Sequence, residues 1–196
     1  MSCPEKRTVI ECVLGDITDQ PDMEAVVNAA NADLLPGGGV CGAIHRAAGP
    51  ELALECRSLK RLKTGDAVIT QGYRLPNRYV IHCLGPVYGI DEPSHILLAR
   101  CHEKALMIAE KHRIPSLAFP AISTGVFSYP LEKAAPVAVG SVTALISKLA
   151  YVRQIRFVLF TEEAYKWYGK ALSASEGLSF KKSGENSGNE EENREN

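Results

Sequence analysis

The chain has 196 residues, 45% of them hydrophobic, and a net charge of -1. That fraction supplies one ordinary globular core, and the missing basic excess argues against nucleic acid and against an anionic membrane surface as partners. No apolar run approaches the ~20 residues needed to span a bilayer.

Glu5, Lys6, Arg7 and Glu11 interrupt the N-terminus, so no secretory core is read there. A cytoplasmic or nuclear address is expected. Arg7–Leu14 is apolar and β-branched and reads as a strand, and Ala25–Asn28 reads as a short buried one. A glycine loop follows, then a helix from about Val40 to Ala48. Glu51–Leu62 carries helical charge pairing. Ala67–Ile69 and Tyr79–Cys83 read as strands, and His95–Lys111 as a helix with an apolar stripe. Ser116–Phe119 is a strand and Leu131–Leu149 a helix entered after Pro130. Gln154–Phe160 is the last strand and Glu162–Leu172 the last helix. Alternation of this kind implies an α/β sheet covered on both faces. Residues 1–172 read as one domain and residues 173–196, polar and acidic, as a disordered tail.

Six cysteines are present, with no CxxC pair or zinc-ribbon spacing. Most read as small core residues. Cys41 and His45 are spaced i,i+4, but two ligands do not make a zinc site; no metal is expected.

Two strand-exit loops carry the chemistry. Gly37, Gly38 and Gly39 follow a buried strand and precede a helix, so bare N–H groups and the helix dipole favour an anion there. Ser123, Thr124 and Gly125 sit in a second loop, Phe119–Pro130, which also leaves a strand and enters a helix. Two such loops can close on a diphosphate from both sides; as separate loops, each is equally a turn punctuated by glycine and proline. The glycines match neither GxGxxG nor the ATPase loop.

Taken together, these motifs resemble the macrodomain family. The resemblance rests on Gly15-Asp16-Ile17-Thr18, Asn28-Ala-Ala-Asn31, the Gly-Gly-Gly-Val-x-Gly-Ala-Ile-His run ending at His45, and Ser123-Thr124-Gly125-Val126. It is nearest to the branch of ADP-ribosyl hydrolases and O-acetyl-ADP-ribose deacetylases and runs from about Thr8 to Leu172. It implies a three-layer α/β/α sandwich with a mixed central sheet and an ADP-ribose cleft at the strand ends. By the same resemblance Asp16, with the Ile17 backbone, would receive the adenine amino group, although Asp16 also reads as a turn carboxylate. Phe160 would pack on the adenine face. Gly37, Gly38, Gly39 and Val40, with Ser123, Thr124, Gly125 and Val126, would line the diphosphate and distal ribose. Phe127 would wall the distal ribose and Asn31 would bind its hydroxyls. Asn28 reads as tying its own loop together.

One residue departs from that pattern. The hydrolase branch reads Gly-Gly-Val-Asp-Gly where this chain reads Gly39-Val40-Cys41-Gly42. A carboxylate accepts a proton from water, and a thiol is a poor substitute. Three readings follow: lost catalysis and a pure ADP-ribose reader; slower catalysis, as the resemblance to viral macrodomains lacking this aspartate implies; or a Cys41 nucleophile served by His45 one turn on. His45 itself reads either as the back of the distal-ribose site or as a structural group, and His82 as structural. The expected activity is hydrolysis of mono-ADP-ribosyl esters on Asp or Glu of proteins, of O-acetyl-ADP-ribose, or of both. Asn31, Cys41 and His45 are its catalytic candidates. The expected partners are ADP-ribose and ADP-ribosylated proteins, with no cofactor and a monomeric chain. Lys60, Arg61 and Lys63 form a small basic cluster, the one feature that favours a single-stranded nucleic acid instead.

Overall fold

A computed structural model describes residues 8–175. Twelve segments follow one another: β1 (Val9–Leu14), β2 (Ala25–Ala29), α1 (Gly39–Ala48), α2 (Pro50–Arg57), β3 (Ala67–Gln71), β4 (Tyr79–Cys83), α3 (Ser94–Lys111), β5 (Ser116–Phe119), α4 (Leu131–Thr143), a 3-10 turn (Ile146–Lys148), β6 (Gln154–Leu159) and α5 (Glu162–Ala174). The six strands form one sheet in the order β1-β6-β5-β2-β4-β3. All neighbours are parallel except β3, which runs antiparallel to β4 at one edge. The mixed sheet and its helical layers match the expected sandwich.

Strand periodicity builds the two cores. Side chains alternate between faces along a strand, and the buried residues divide accordingly. Ala25, Val27, Ile81, Leu117, Phe119, Ile155 and Phe157 pack with α3, α4 and α5 on one side. Val26, Val80, Ala118 and Val158 pack with α1 and α2 on the other. Central strands buried on both faces read as continuous apolar runs for this reason.

Several boundaries move. The helix expected over Glu51–Leu62 stops at Arg57, where Ser58 bonds back to Glu55 O through its backbone and hydroxyl. The helix expected over Leu131–Leu149 stops at Thr143 and tightens into the 3-10 turn, which turns Leu149 and Val152 inward to the core. β3 continues to Gln71 because it pairs with the whole of β4. β1 starts at Val9, after Thr8, and Arg7 lies outside the described residues. Phe160 stands just past β6 instead of ending it. α5 continues to Ala174, so residues 173–174 of the expected tail are helical, and residues 176–196 lie outside the described residues. Among the described residues no helix is long and apolar enough to cross a membrane.

The topology sets one crevice. β2 and β5 are adjacent and parallel, yet β2 leads to α1 on one face and β5 to α4 on the other. Chains that leave neighbouring strands in opposite directions open a gap beyond their C-terminal ends.

Candidate functional site

Both expected loops line that gap. Its walls include Ala29, Ala30, Gly38, Gly39 and Val40 from the β2 side. Gly85 after β4, and Ala121, Ile122, Ser123, Gly125, Val126 and Phe127 after β5, complete a cleft of about 100 Å³.

The glycines here divide into two physical kinds. Gly42 and Gly85 are demanded by packing. A Cβ on Gly42 would stand 2.2 Å from Gly37 O, and one on Gly85 would stand 2.1 Å from Ser123 Oγ and 2.7 Å from Ile122 Cγ2. Gly38 and Gly125 are different, because a Cβ on either would meet nothing within 4 Å. Gly38 also has an extended backbone, φ -90°, that any residue adopts. No contact inside the fold asks for bare backbone at these two points. The cleft they border does, if a ligand is to touch the chain itself.

The donors for such a ligand are in place. α1 begins at Gly39 with no side-chain cap and no acidic residue in its first turn, so its first N–H groups lack helical partners. Opposite, Thr124 N, Ser128 N and Tyr129 N are bonded within their own loop. Gly125, Val126 and Phe127 N–H have no hydrogen-bond partner among the described residues. Ser123 holds a left-handed backbone, φ 67°, that turns the chain back over Gly85, and its buried hydroxyl is unpartnered. Tyr88 N donates to Phe127 O at 2.9 Å, which fixes the far wall. Val126 stands 89% exposed at the rim.

Asp16 and Phe160, the residues expected at the adenine, stand at the β1–β6 side of the sheet. β1 and β6 are neighbours, and Gly15 N donates to Leu159 O at 2.9 Å. Asp16 and Phe160 therefore leave adjacent strand ends. Phe160 is 82% exposed, an aromatic ring held in solvent with nothing packed over it. Asp16 is exposed and its Oδ1 accepts from Thr18 N and Thr18 Oγ1, both at 2.8 Å, which is the turn role; Oδ2 has no partner among the described residues. Ile17 is buried in the core beneath. Behind the turn, Gln20 Nε2 donates to Asp16 O, and Gln20 Oε1 accepts from Arg156. Adjacent strands are spaced ~4.8 Å apart, so along the row β1-β6-β5-β2 the strand ends before Asp16 and Phe160 stand ~14 Å and ~10 Å from the one that leads to the glycine loop.

Asn31, just past β2, is half-buried and is not among the residues that wall the cleft. Its Oδ1 accepts from Leu35 N at 3.1 Å and its Nδ2 donates to Leu35 O at 2.7 Å, closing the loop that carries the glycines. Nδ2 also stands 3.4 Å from where a Cβ on Gly37 would be. Cys41 faces inward. Its thiol donates to Leu35 O at 3.4 Å and accepts from Asn28 Nδ2 at 3.8 Å, and its surface is nearly all buried. His45 is buried one turn further, with both ring nitrogens unpartnered and its ring 6.4 Å from that of His82. Burial holds its pKa below the usual histidine value. His82 is pushed down to about 3 by burial and by His45; it bonds Asn28 at 3.0 Å and Thr70 at 2.9 Å. Thus Asn28, Cys41, His45 and His82 form one polar seam under the glycine loop, and neither Cys41 nor His45 lines the cleft. Gly37, which is exposed, and Thr124, whose Oγ1 donates to Ala121 O, are not among the residues that wall the cleft either.

Sequence reasoning did not single out Ala29, Ala30, Ala121 or Ile122. Their signal was small size immediately after a buried strand. A second groove, about 440 Å³, lies between α4 and α5 along Pro136, Val139, Trp167 and Ala171. It is larger but offers no row of free backbone donors and stands away from the strand ends. Among the described residues no cluster of three or more His, Cys, Asp or Glu is arranged to hold a metal.

Comparison with known proteins agrees with this geometry. A sequence model of the Macro domain matches residues 27–138. A macro domain-containing protein of Mesorhizobium japonicum is 49% identical over 161 residues, covering 82% of this chain and 91% of that one. An O-acetyl-ADP-ribose deacetylase of Salmonella gallinarum is 44% identical over 169 residues, covering 84% and 94%. Among solved structures, an Oceanobacillus iheyensis macrodomain with ADP superposes with a TM-score of 0.82 at 38% identity, covering 88% of this chain and 94% of that one.

Proposed function

This chain belongs to the macrodomain family, and from that premise we propose that it binds ADP-ribose and hydrolyses mono-ADP-ribosyl esters, those on Asp or Glu of proteins, O-acetyl-ADP-ribose, or both. The observation that carries the reading is the pair of facing loops whose backbone is bare where packing does not require it. A similar deacetylase and a similar macrodomain solved with ADP support it.

The diphosphate lies between the first turn of α1 and the Gly125–Phe127 backbone, held by N–H donors on both sides. The adenine reaches Asp16 and Phe160. The distal ribose reaches Asn31, whose second Nδ2 hydrogen remains available beyond the Leu35 bond. The bend that the two loops impose sets a water beside the anomeric carbon. For the protein ester the water oxygen bonds to that carbon, the bond to the ester oxygen breaks, and the carboxylate departs with the electron pair; for O-acetyl-ADP-ribose the water oxygen bonds to the acetyl carbonyl carbon instead, the acyl C–O bond breaks, and the ribose oxygen leaves as the hydroxyl. Carboxylate is a weak base, so its departure asks for little acid catalysis. The water proton passes to the neighbouring ligand phosphate. No cofactor enters the reaction.

A second reading, a non-hydrolysing ADP-ribose reader, is favoured by the placement of Cys41, whose thiol is engaged by Leu35 and Asn28 beneath the loop. A time course of ADP-ribose release from a glutamate-linked mono-ADP-ribosylated protein separates the two, with Asn31→Ala run alongside. Release that collapses in the variant is the expected result. No release from protein that binds ADP-ribose would establish the reader.

A further inference from the structure

Resting on the reading that the ester lies at the Asn31 end of the cleft, we propose that the segment from Arg57 to Lys63 docks the acidic flanks of the modified protein, which makes acidic segments the preferred substrate class. The sequence RSLKRLK holds four cations and no carboxylate, although the whole chain carries a net charge of -1.

The fold places this segment against the site. Leu62 N donates to Ala32 O at 2.8 Å, one residue past Asn31. Arg61 Nε pairs with Asp33 at 3.1 Å on the same loop. Leu62 is buried and Leu59 packs on the core of that face, so the charges stand on an anchored stretch of chain.

Asp33 matches Arg61, and the other three cations of the segment have no carboxylate partner among the described residues. Glu51 is paired with Arg74 at 2.9 Å. Glu55 accepts from the neutral donors Gln71 N and Tyr73 OH and keeps its charge, one carboxylate against the three unpaired cations of the segment. Asp66 is taken by Lys104 and Arg100. Arg57, Lys60 and Lys63 are exposed and make no ion pair among the described residues. Unmatched cations beside a binding cleft attract and orient an anionic partner. The segment offers no aromatic ring on which bases could stack, so an acidic peptide fits it better than a single strand of nucleic acid.

The test is a binding measurement on the full chain, so that it does not depend on turnover. Two peptides carry ADP-ribose through a hydrolysis-resistant bond, one flanked by glutamates and one by glutamines. Calorimetry gives Kd for each and for free ADP-ribose, with wild type and with Lys60→Glu/Lys63→Glu. Wild type is expected to favour the glutamate peptide by about tenfold at low salt, with the preference shrinking as ionic strength rises. The double variant loses the preference while its Kd for free ADP-ribose is unchanged. Equal Kd values for the two peptides in wild type, or a preference that survives in the variant, would overturn the inference and leave the parent reading standing. No binding of free ADP-ribose would overturn both. Displacement of the glutamate peptide by a single-stranded oligonucleotide, at matched concentration, would assign the patch to nucleic acid instead.

Discussion

Gly38→Ala and Gly85→Ala should fail in opposite ways. At Gly38 the new methyl meets no atom within 4 Å and the backbone is extended. Alanine reduces the freedom of the unfolded chain by about 0.4–1 kcal/mol, and is a poorer N-cap than glycine by a comparable amount. Stability should therefore stay within about 1 kcal/mol of wild type, a Tm shift under about 4 °C for a domain of this size. Gly38 does wall the cleft, so the methyl takes space that a ligand touching its backbone would need. A charge-assisted hydrogen bond contributes about 1.5–3 kcal/mol, so displacing one phosphate contact should raise Kd for ADP-ribose roughly 10- to 150-fold. At Gly85 the methyl would overlap Ser123 Oγ and Ile122 Cγ2. Overpacking of that kind costs about 1–3 kcal/mol, or a Tm lower by about 2–12 °C. Thermal melts and calorimetric titration with ADP-ribose read both quantities on the same samples. A Gly38→Ala protein that melts like wild type and binds like wild type would refute the inference that bare backbone there serves a ligand.

Acid should destabilise the fold through its buried histidines. Burial lowers His82 to about 3 and His102 to about 4, whereas an unfolded histidine titrates near ~6.5. Below that value the unfolded chain binds protons that the folded one refuses, so stability falls as pH drops from ~6.5 toward 4, by about 1.4 kcal/mol per unit for each group. Urea midpoints across that window should have a shallower slope in His102→Met, and an unchanged slope would count against the assignment. Arg156 is 13% exposed and holds Glu11, itself 11% exposed, at 2.8 Å, with Asp22 beyond. Arg156→Met leaves Glu11 without its charge partner and should cost about 3 kcal/mol. Adding Glu11→Leu should restore most of the loss in the same urea assay; a double variant no more stable than the single one would show that the pair is not what matters.

The order of elements was legible because the strands are short apolar runs, several of them bounded by glycine or proline as at Gly15, Gly72, Pro115 and Pro120, and because helical stripes alternate with them. Where expected helices ran long, past Arg57 and past Thr143, local pattern continued while tertiary packing took the chain elsewhere: Leu62 bonds Ala32, and Leu149 and Val152 turn into the core. The two loops stood out locally because runs of glycine give up backbone order, although each read equally as a turn, and Phe160 entered only through the family resemblance. Two things were not readable. Gly38 and Gly85 look alike in sequence, and only the three-dimensional neighbours separate a glycine required by packing from one left bare toward a cleft. Cys41 and His45 look like partners of that cleft by spacing, and the folded chain sets both in the polar seam beneath it with Asn28 and His82. Periodicity and turn chemistry are local and survive in the sequence; the direction a side chain faces is decided by residues far along the chain, which only the assembled sheet brings together.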